Sequence, residues 1–582
     1  MITGQTSSTG QGGHMGIAAK DVWYRRDRSR RVAAFGVAAL GLIGLLSAAS
    51  RPLRGRLEGL LQVVPFFVPR TAAVTLVFVS FALLLTARGL RRGQHVAWLA
   101  AIALLVVSVV LHVVKGIDVE EAVLATAGAM WLVEHRDAFP VWVSRATAVR
   151  TAVLAVTGAA ITFAVAVGLS ATVGRPHRLD TKVSPHSIAQ RIGADDIFPV
   201  NFGGHFGTAV LIALGLGLMG SVLWVLFSPP SLSPLDDATH HAARERARAL
   251  VEQYGGGTLD FFALRDDKRW FFVGNSVVAY DVRAGVCLVS PDPIGPDEER
   301  EPTWGALMAY AEESGWSVTV LGAAPSWLPV YERSGLRALY LGDEAVVDCA
   351  SFSLDGGAMK SLRQGYHRVQ RAGYTVTFHD PAHLDDDLAR RLVGLSIVGR
   401  RGEVERGFSM TLSRLFDPQD AGLLLSVARD SADIPRAFVQ WVPARDLDGW
   451  SLDVMRRDTT GVLPNGIMDF LIIETIRHTA ASGGGGLDLN FAVMRAVVSG
   501  ERSGWAARLG RATAGGALAA TQIESLWRFN DKYRPRWMPR FVVLGSLESL
   551  PSQALVMADA EGITELPVLG RFLGRTGSTV HP

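Results

Sequence analysis

Cysteine is nearly absent from this chain. Its 582 residues include two cysteines, Cys287 and Cys349, too few for a disulfide framework or for the spaced cysteine pairs of a structural zinc site. No HExxH, CxxC or P-loop motif occurs. We therefore expect neither a metal site nor a bound cofactor.

Lysine is also rare, because six of the 58 basic residues are lysines and the rest are arginines. A lysine in this background therefore favours a specific role. No GxSxG motif marks a serine nucleophile, and His367 and His478 have no evident triad partner. These absences disfavour hydrolase-type nucleophilic catalysis.

Long apolar segments are abundant in the first half. The mean hydropathy is +0.23 although 19% of the residues are charged, so the apolar residues must be concentrated. A membrane span needs about 20 mainly apolar residues. The candidate segments lie at about 33–49, 71–89, 97–114, 119–134, 151–173 and 205–227. Glu120 and Glu121 make the fourth segment marginal.

Arginine-rich loops set the expected orientation. The arm at 20–31 and the loops near 88–92 and 136–150 are basic, and basic loops stay in the cytoplasm. Six spans place all three there, together with the domain after Phe227. The basic loop 51–70 breaks this rule, and five spans would put the domain outside. Six spans fit better.

The composition changes after Phe227 to that of a mixed α/β domain, because strand-like runs alternate with helical patterns. Strands are predicted at 269–274, 276–282, 285–290, 317–322, 374–380, 422–429, 436–442, 449–455, 487–492 and 540–545. Helices are predicted at 303–313, 357–372, 383–398 and 464–481. The expected domains are a basic arm (1–32), a membrane domain (33–227), a linker (228–240), two α/β units (241–400 and 401–570) and a tail (571–582).

The segment WSLDVMRRD carries an acid–base pair, Asp453 and Arg456. On a regular strand these residues point to opposite faces, and they share a face only if the strand ends or bulges. The pair is either a buried ion pair or a grip for a substrate with both charges. Asn465 and Gly466 follow at the start of helix 464–481, where backbone N–H groups attract anions and a glycine lets a ligand approach.

The helix GAMKSLRQGYHRVQRAG has an apolar stripe and a basic stripe. The apolar stripe is Met359, Leu362, Tyr366 and Val369. The basic residues are Lys360, Arg363, His367, Arg368 and Arg371. Such a pattern is typical of an ordinary amphipathic surface helix, but basic charge without interspersed acids favours a phosphate-bearing partner, either nucleic acid or lipid headgroup.

Two further segments carry candidate residues. SLWRFNDKYRPRWMPRF contains Lys532, whose ammonium suits a phosphate or ester oxygen, although the segment equally fits an aromatic-rich core helix with extended arginines. GRRGEVERGFSM contains Glu403 and Glu405, which matter only if folding brings them to Asp453.

Together these motifs resemble the phosphatidylglycerol lysyltransferase family (multiple peptide resistance factor). The matching pieces are VKGIDVEEA, DKRWFFVG, AYDVRAGVCLVSPDPIGP, LYLGDEAVVDCASFSLDGGAMKSLRQGYHRVQRAG, ERGFSM, LDVMRRD, LPNGIMDFLI, LDLNFA and FNDKYRPRWMPRF. The resemblance covers nearly the whole chain and implies bacterial membrane proteins that transfer an amino acid from aminoacyl-tRNA to phosphatidylglycerol. It implies a cytoplasmic domain of two tandem GNAT-like acyltransferase units.

The resemblance also implies functional positions. Asp453, Arg456 and Lys532 match functionally important residues, and Glu405 matches less closely; Glu403 is added for its proximity. The longest family members have about twice as many spans, including a region assigned to lipid flipping, so the sequence leaves open whether this chain flips the modified lipid. We expect charged tRNA to be supplied by a separate synthetase, and we expect the protein to form homo-oligomers.

Transfer of lysine or alanine to the glycerol hydroxyl is expected to lower the negative charge of the membrane and confer resistance to cationic peptides. Two alternatives stay open. One is a membrane-tethered acyltransferase that uses acyl-CoA, although no glycine-rich pyrophosphate loop precedes helix 464–481. The other is a lipid transporter or scaffold with a regulatory cytoplasmic domain.

Overall fold

The computed structural model describes residues 15–49, 67–116, 118–173, 205–229, 232, 235–400, 407–412, 414–493, 527–545 and 550–561. The chain divides into two compact units. The first comprises 1–230 with the short segment 312–316, and the second comprises 231–311 with 317–582.

Apolar helices make up the described part of the first unit. They are α1 (Met15–Ala49), α2 (Phe67–Arg91), α3 (His95–Gly116), α4 (Val119–Glu134), α5 (Arg145–Val173) and α6 (His205–Leu226). Stretches long and apolar enough to cross a membrane are Arg25–Ala48, Val74–Arg91, His95–Val114 and Arg145–Val167. The apolar stretches of α4 and α6 are shorter. The chain is thus a membrane protein, and the count of six spans stays a prediction.

Small residues let α1 and α2 pack closely. A Cβ atom on Gly44 would lie 2.3 Å from the Ser80 hydroxyl oxygen, and one on Gly41 would lie 2.9 Å from the Ser80 carbonyl oxygen. Ser80 is fully buried. Helices in lipid associate through such close backbone contacts because the surrounding acyl chains are as apolar as the helices.

A single mixed sheet organises the second unit. Its strands are β1 (Arg269–Val273), β2 (Ser276–Arg283), β3 (Val286–Val289), β4 (Ser317–Ala323), β5 (Arg337–Asp348), β6 (Thr375–His379), β7 (Leu424–Arg429), β8 (Pro435–Ala444), β9 (Gly449–Arg457), β10 (Gly486–Val493) and β11 (Arg536–Leu544). Their order is β1-β2-β3-β4-β11-β5-β10-β9-β8-β7-β6.

The ten strands predicted from the sequence are confirmed, and the structure adds β5 near the middle of the sheet. The apolar alternation of β5 is interrupted by Gly342, Asp343 and Glu344, which obscures its strand character. Strand β11 begins at Arg536, so 536–541 is strand and the alternative of a helix there is wrong.

The second unit contains one arrangement twice. Strands β1, β2 and β3 form an antiparallel meander, and helix α8 (Arg300–Glu313) leads to β4, which is parallel to β3. Strands β7, β8 and β9 repeat the meander, and α12 (Ile467–Ala481) leads to β10, parallel to β9. The two last strands are exchanged, because β11 pairs with β4 and β5 pairs with β10. The predicted class, a helical membrane domain followed by two tandem α/β units, is confirmed.

The remaining helices are α7 (Asp237–Tyr254), α9 (Leu328–Arg333), α10 (Lys360–Arg371), α11 (Asp386–Arg400) and α13 (Leu550–Ala560). Helix α7 is capped by the Asp236 carboxylate, which accepts the Thr239 N–H, and it begins within the stretch predicted as linker. Helices α10 and α12 share an apolar core with Trp441 and Leu452. Helix α11 shares another core with Phe438 and Val454. These two cores lie on opposite faces of the sheet.

Two glycines bring α10 against the start of α12. Gly466 has φ +102°, and a Cβ atom there would lie 3.1 Å from the Gly365 Cα of α10. The expected close approach at Gly466 is therefore to another helix of the same chain. Both the left-handed conformation and the contact require glycine.

Gly466→Ala is expected to destabilise the protein by about 2 kcal/mol or more, because alanine meets both a left-handed backbone and an overpacked contact. The matched control is Gly357→Ala, where a Cβ atom has nothing within 4 Å. Thermal unfolding of the purified chain, followed by circular dichroism, compares the two variants. Equal melting temperatures would contradict the packing role of Gly466.

Candidate active site

Strands β9 and β10 separate soon after they pair. Their parallel register is Leu487 with Trp450 and Asp488 with Ser451. Asn490, on β10, then adopts φ +70° beside a bulge between Asp488 and Phe491. The corresponding strands of the first repeat, β3 and β4, stay paired over four positions. The second repeat therefore has an opening in the sheet that the first repeat lacks.

Asp453 occupies a β-bulge at this opening. On β8, Gln440 pairs with Val454 and the next residue, Trp441, pairs with Leu452, so Asp453 is the extra residue. Bulges re-aim side chains and are common beside active sites.

The bulge puts Asp453 and Arg456 on the same face of the sheet. Arg456 pairs with Phe438, which belongs to the α11 core, and opposite residues on antiparallel strands share a face. The Asp453 carboxylate bonds to the Gln440 amide, whose partner Val454 also belongs to that core. The sequence predicted a shared face only if the strand ends or bulges, and the structure has both the bulge and the shared face.

The Asp453 carboxylate is 3% exposed and is held from two directions. Its Oδ1 accepts the backbone N–H of Leu412 at 2.8 Å, and its Oδ2 accepts the Gln440 Nε2–H at 2.7 Å. One donor comes from the neighbouring strand and the other from the segment 407–412. The position of this segment therefore fixes the orientation of the carboxylate.

Strand β10 supplies a second carboxylate, that of Asp488. Its Oδ2 accepts the Ser451 hydroxyl at 2.7 Å and its Oδ1 accepts the Asn490 N–H at 3.1 Å. Burial, and then the negative charge of Glu344, raise the pKa of Asp488 well above its usual range. The Asn490 side chain donates to the Leu452 carbonyl at 3.0 Å and the Met410 carbonyl at 3.3 Å, so it joins β9 to the segment 407–412.

A buried ion pair lies behind Asp488. Arg540 on β11 is 2.9 Å from Glu344 on β5, and Thr258 accepts from Arg540 at 2.7 Å and donates to Glu344 at 2.8 Å. Burial lowers the pKa of Arg540, but the charges of Glu344, Asp292 and Asp260 outweigh it and raise the pKa overall.

Two basic side chains, Arg265 and Lys268, hold the segment 407–412. Arg265 donates to the Gly407 carbonyl at 2.7 Å and to the carbonyl and hydroxyl of Thr411 at 3.0 and 2.9 Å. Lys268 is fully buried, donates to the carbonyls of Phe262 and Ser290, and places its ammonium 4.6 Å from the ring centre of Phe408.

The other predicted catalytic residues lie in different places. Lys532 donates to Asp469 on α12 at 2.6 Å, and Tyr533 beside it belongs to the α10–α12 core. Lys532 therefore lies on the sheet face opposite Asp453 and Arg456. Arg456 is half-buried and donates to the Met455 carbonyl at 3.0 Å. Glu403 and Glu405 lie outside the described residues.

The basic stripe of α10 is confirmed as a surface feature. The four apolar residues are buried, Lys360, His367, Arg368 and Arg371 are exposed, and Arg363 is half-buried. Across the described parts of the chain, no carboxylate lies within 4.0 Å of the lysine or the three arginines. Arg368 donates to the Asn465 carbonyl at 3.3 Å, so the stripe reaches the loop that follows β9.

Sequence reasoning missed Asp488, Asn490, Gln440 and Ser451. A signal for two of them exists, because Asp488 and Asn490 are polar residues within the apolar strand LDLNFA.

Among the described residues, the cluster His112, Asp118 and Glu121 has metal-ligand spacing, with ligand atoms within 4.8 Å of one another. It belongs to the first unit, so it contributes nothing to this cleft.

Lys268 makes the stability of the second unit depend on pH. Burial lowers the pKa of its ammonium to about 7, whereas the pKa of a lysine in an unfolded chain is about 10.5. Between these values the unfolded chain binds a proton that the folded chain lacks. Stability therefore rises with pH across this window and is lost as the pH falls towards about 7, by up to about 1.4 kcal/mol per pH unit.

Lys268→Met is expected to remove this dependence. At about pH 7 the variant should melt at a higher temperature than the parent chain. This difference in melting temperature should be smaller at about pH 9. Thermal unfolding in detergent at both pH values measures it, with Lys360→Met, at an exposed lysine, as the control. If the difference in melting temperature between the parent chain and Lys268→Met is the same at both pH values, the lowered pKa of Lys268 is contradicted.

The C-terminal half matches a known family. Residues 248–544 match the family model described as phosphatidylglycerol lysyltransferase, C-terminal. The lysylphosphatidylglycerol biosynthesis bifunctional protein LysX of Mycobacterium marinum is 31% identical over 537 residues, which are 86% of this chain and 46% of that protein. LysX of Nocardia farcinica is 36% identical over 381 residues, 64% of this chain and 33% of that protein.

This chain thus spans less than half the length of these relatives. Among solved structures, L-PGS from Bacillus licheniformis aligns with a TM-score of 0.49 and 23% identity over 55% of this chain and 97% of that one. The family model covers the meanders, the opening at Asp453 and all of β11. The chain belongs to the phosphatidylglycerol lysyltransferase family.

Proposed function

We propose that this protein transfers an amino acid from aminoacyl-tRNA to the glycerol hydroxyl of phosphatidylglycerol. The product carries an added ammonium, so the transfer lowers the negative charge of the membrane and protects against cationic peptides. In this proposal the protein is a multi-pass protein of the bacterial plasma membrane, and its second unit lies in the cytoplasm, where charged tRNA is found.

The observation that carries the proposal is the buried Asp453 carboxylate at the bulge beside the opening between β9 and β10. A buried carboxylate is costly unless it is bonded or paired. Two of its donors, the Leu412 N–H and the Gln440 amide, are neutral groups, and an ammonium is a stronger electrostatic complement to a carboxylate than a neutral donor is. Family membership supports the aminoacyl group as the source of that ammonium.

The chemistry is a transesterification. The glycerol hydroxyl oxygen attacks the carbonyl carbon of the aminoacyl ester, and the bond from that carbon to the tRNA ribose oxygen breaks. The proton of the glycerol hydroxyl passes to the ribose oxygen. The ester already stores the energy of the step, so alignment of the two substrates supplies much of the rate.

The residues divide this work by charge. Asp453 receives the α-ammonium, and Arg456 on the same face stabilises the tetrahedral oxyanion or a phosphate. Lys532 lies on the opposite face of the sheet, where Asp469 holds its ammonium, and there it binds a substrate phosphate. A single well-placed donor to an oxyanion contributes about 3 kcal/mol. The basic stripe of α10, with the nearby Asn465 and Gly466, faces the phosphates of a substrate.

Lysine is the amino acid that we propose, because the relatives are named for lysylphosphatidylglycerol. A lysyl side chain needs a second acidic group in addition to the one that receives the α-ammonium. Asp488, at the last position where β10 pairs with β9 before the opening, supplies that group. Burial and the charge of Glu344 raise the pKa of Asp488, and an arriving ammonium would favour its ionised carboxylate.

The first experiment uses membranes that carry the full chain, radiolabelled amino acids, total tRNA with synthetases, and phosphatidylglycerol, followed by lipid chromatography. Asp453→Asn is expected to reduce labelled lipid by about 100-fold or more, since a group that binds the reacting substrate is lost. RNase should abolish labelling. Asp297→Asn, at an exposed ion pair with Arg300, is the matched control.

A labelled lipid that persists after RNase would point to acyl-CoA-type chemistry, and no labelled lipid from folded protein would overturn the transferase.

Asp488→Asn tests the choice of amino acid. The amide keeps the shape of the site and can still bond to Ser451, but it cannot pair with a lysyl ammonium. We expect transfer of lysine to fall by about 10-fold or more, mainly through a higher KM for lysyl-tRNA. Transfer from alanyl-tRNA, where it occurs, should change little, and an equal loss for both would assign Asp488 to the fold alone.

A further inference from the structure

Among the described residues of the second unit, one aliphatic side chain is fully exposed. Val462, in the loop between β9 and α12, has a relative exposure of 103%, whereas the other large aliphatic residues described as exposed in this unit range from 37% to 59%. Single exposed apolar residues are common on proteins. Val462 differs from these because its whole side chain is in solvent, because its loop is held in shape, and because basic side chains lie beside it.

The loop that carries Val462 is held in shape. Asp458 accepts the N–H of Thr460 at 2.8 Å and its hydroxyl at 2.6 Å. The other oxygen of Asp458 accepts from Arg436 at 3.0 Å, which neutralises the only acidic charge between 457 and 466. At the far end, Leu463 packs against the α10–α12 core. Val462 is therefore the apolar tip of a structured, uncharged turn.

The basic stripe of α10 lies beside this tip. Arg368 bonds to the carbonyl of Asn465, which is three residues from Val462, and three residues span at most about 11 Å. Lys360, His367 and Arg371 continue the exposed stripe along the helix. An apolar tip next to basic side chains is the pattern of proteins that bind the surface of an anionic bilayer.

We propose that the 459–463 turn and the basic stripe of α10 dock on an anionic lipid bilayer, with Val462 inserted among the lipid headgroups. This rests on the proposed function and deepens it by naming the partner of the α10 stripe. A nucleic acid complements the basic charge equally well, but it offers no apolar layer for a bare valine. The exposed tip therefore favours the bilayer over tRNA as the partner of this surface.

Docking in this way would bring the opening to its lipid substrate. Strand β9 runs from Ser451 past Asp453 and Arg456 into the 459–463 turn, so the turn lies at the end of β9 towards which the opening widens. A bilayer in contact with the turn would present headgroups at that edge of the sheet. A lipid hydroxyl could then reach the opening without leaving the membrane entirely.

The test labels Val462→Cys with an environment-sensitive fluorophore in the full chain. Both native cysteines are buried, so the new thiol is the reactive one. The labelled protein is reconstituted in nanodiscs of phosphatidylcholine alone or mixed with phosphatidylglycerol. We expect a blue-shifted emission, with quenching by lipids spin-labelled near the headgroup, in the anionic discs.

The matched control is Val393→Cys on α11. Val393 is 42% exposed, and α11 lies on the sheet face opposite α10, so its label should stay in water in both kinds of disc. The double variant Arg368→Gln/Arg371→Gln should lose the shift at position 462. This loss would show that the basic stripe, and not the label itself, brings the tip to the lipid.

The outcomes separate this inference from the proposed function. If the label at 462 stays in water in anionic discs while the Asp453-dependent transfer is intact, the docking surface is refuted and the transferase stands. If the label inserts but no amino acid is transferred, docking stands and the transferase fails. A label that responds to added tRNA and not to phosphatidylglycerol would overturn the bilayer in favour of nucleic acid.

Discussion

The parting of two parallel strands is the constraint on which the rest of the site depends. Strands β9 and β10 begin side by side and are then forced apart by irregularities on both, at Asp453 and at Asn490. A regular pair would close the sheet and bury its backbone groups in ladder bonds. Because the strands separate, side chains must satisfy those groups, and the amide of Asn490, bonded to the Leu452 carbonyl, is one that does so.

This arrangement requires a buried polar network in the middle of the sheet. Asp488, Glu344 and Arg540 lie on three adjacent strands and are almost fully buried. Buried charges contribute little net stability, although removal of one partner is strongly destabilising. Such a network is difficult to explain as a stabilising device, and it fits the proposed binding of charged groups at the opening.

The two repeats differ in structure at the position of the opening. In the first repeat, β3 and β4 stay in register with apolar residues such as Val289 and Val320 at the end of the pairing. In the second repeat, the comparable strands carry Ser451, Asp453 and Asp488. The first repeat contributes by support: Arg265 and Lys268 hold the segment 407–412 that orients Asp453, and β5 supplies Glu344. The exchange of β5 and β11 makes the two repeats one folding unit.

The sequence by itself determined the local features. Apolar alternation located ten of the eleven strands that the structure describes, helical periodicity gave the amphipathic α10 with its basic stripe, and the order of motifs indicated the family. These features depend on neighbouring residues, whose spacing is fixed by helix and strand geometry. The missed strand β5 shows the limit, because its central position is specified by partners from the second repeat and not by its own alternation.

Only the tertiary structure decided the geometry of the site. Strand periodicity alone puts Asp453 and Arg456 on opposite faces, and the register with Gln440 and Trp441 on β8 reverses this. The partners of Asp453 and Lys532, namely Leu412 and Asp469, are 41 and 63 residues away in sequence. Strand register and such distant contacts are set by the packing of the whole sheet, so no local pattern in the sequence encodes them.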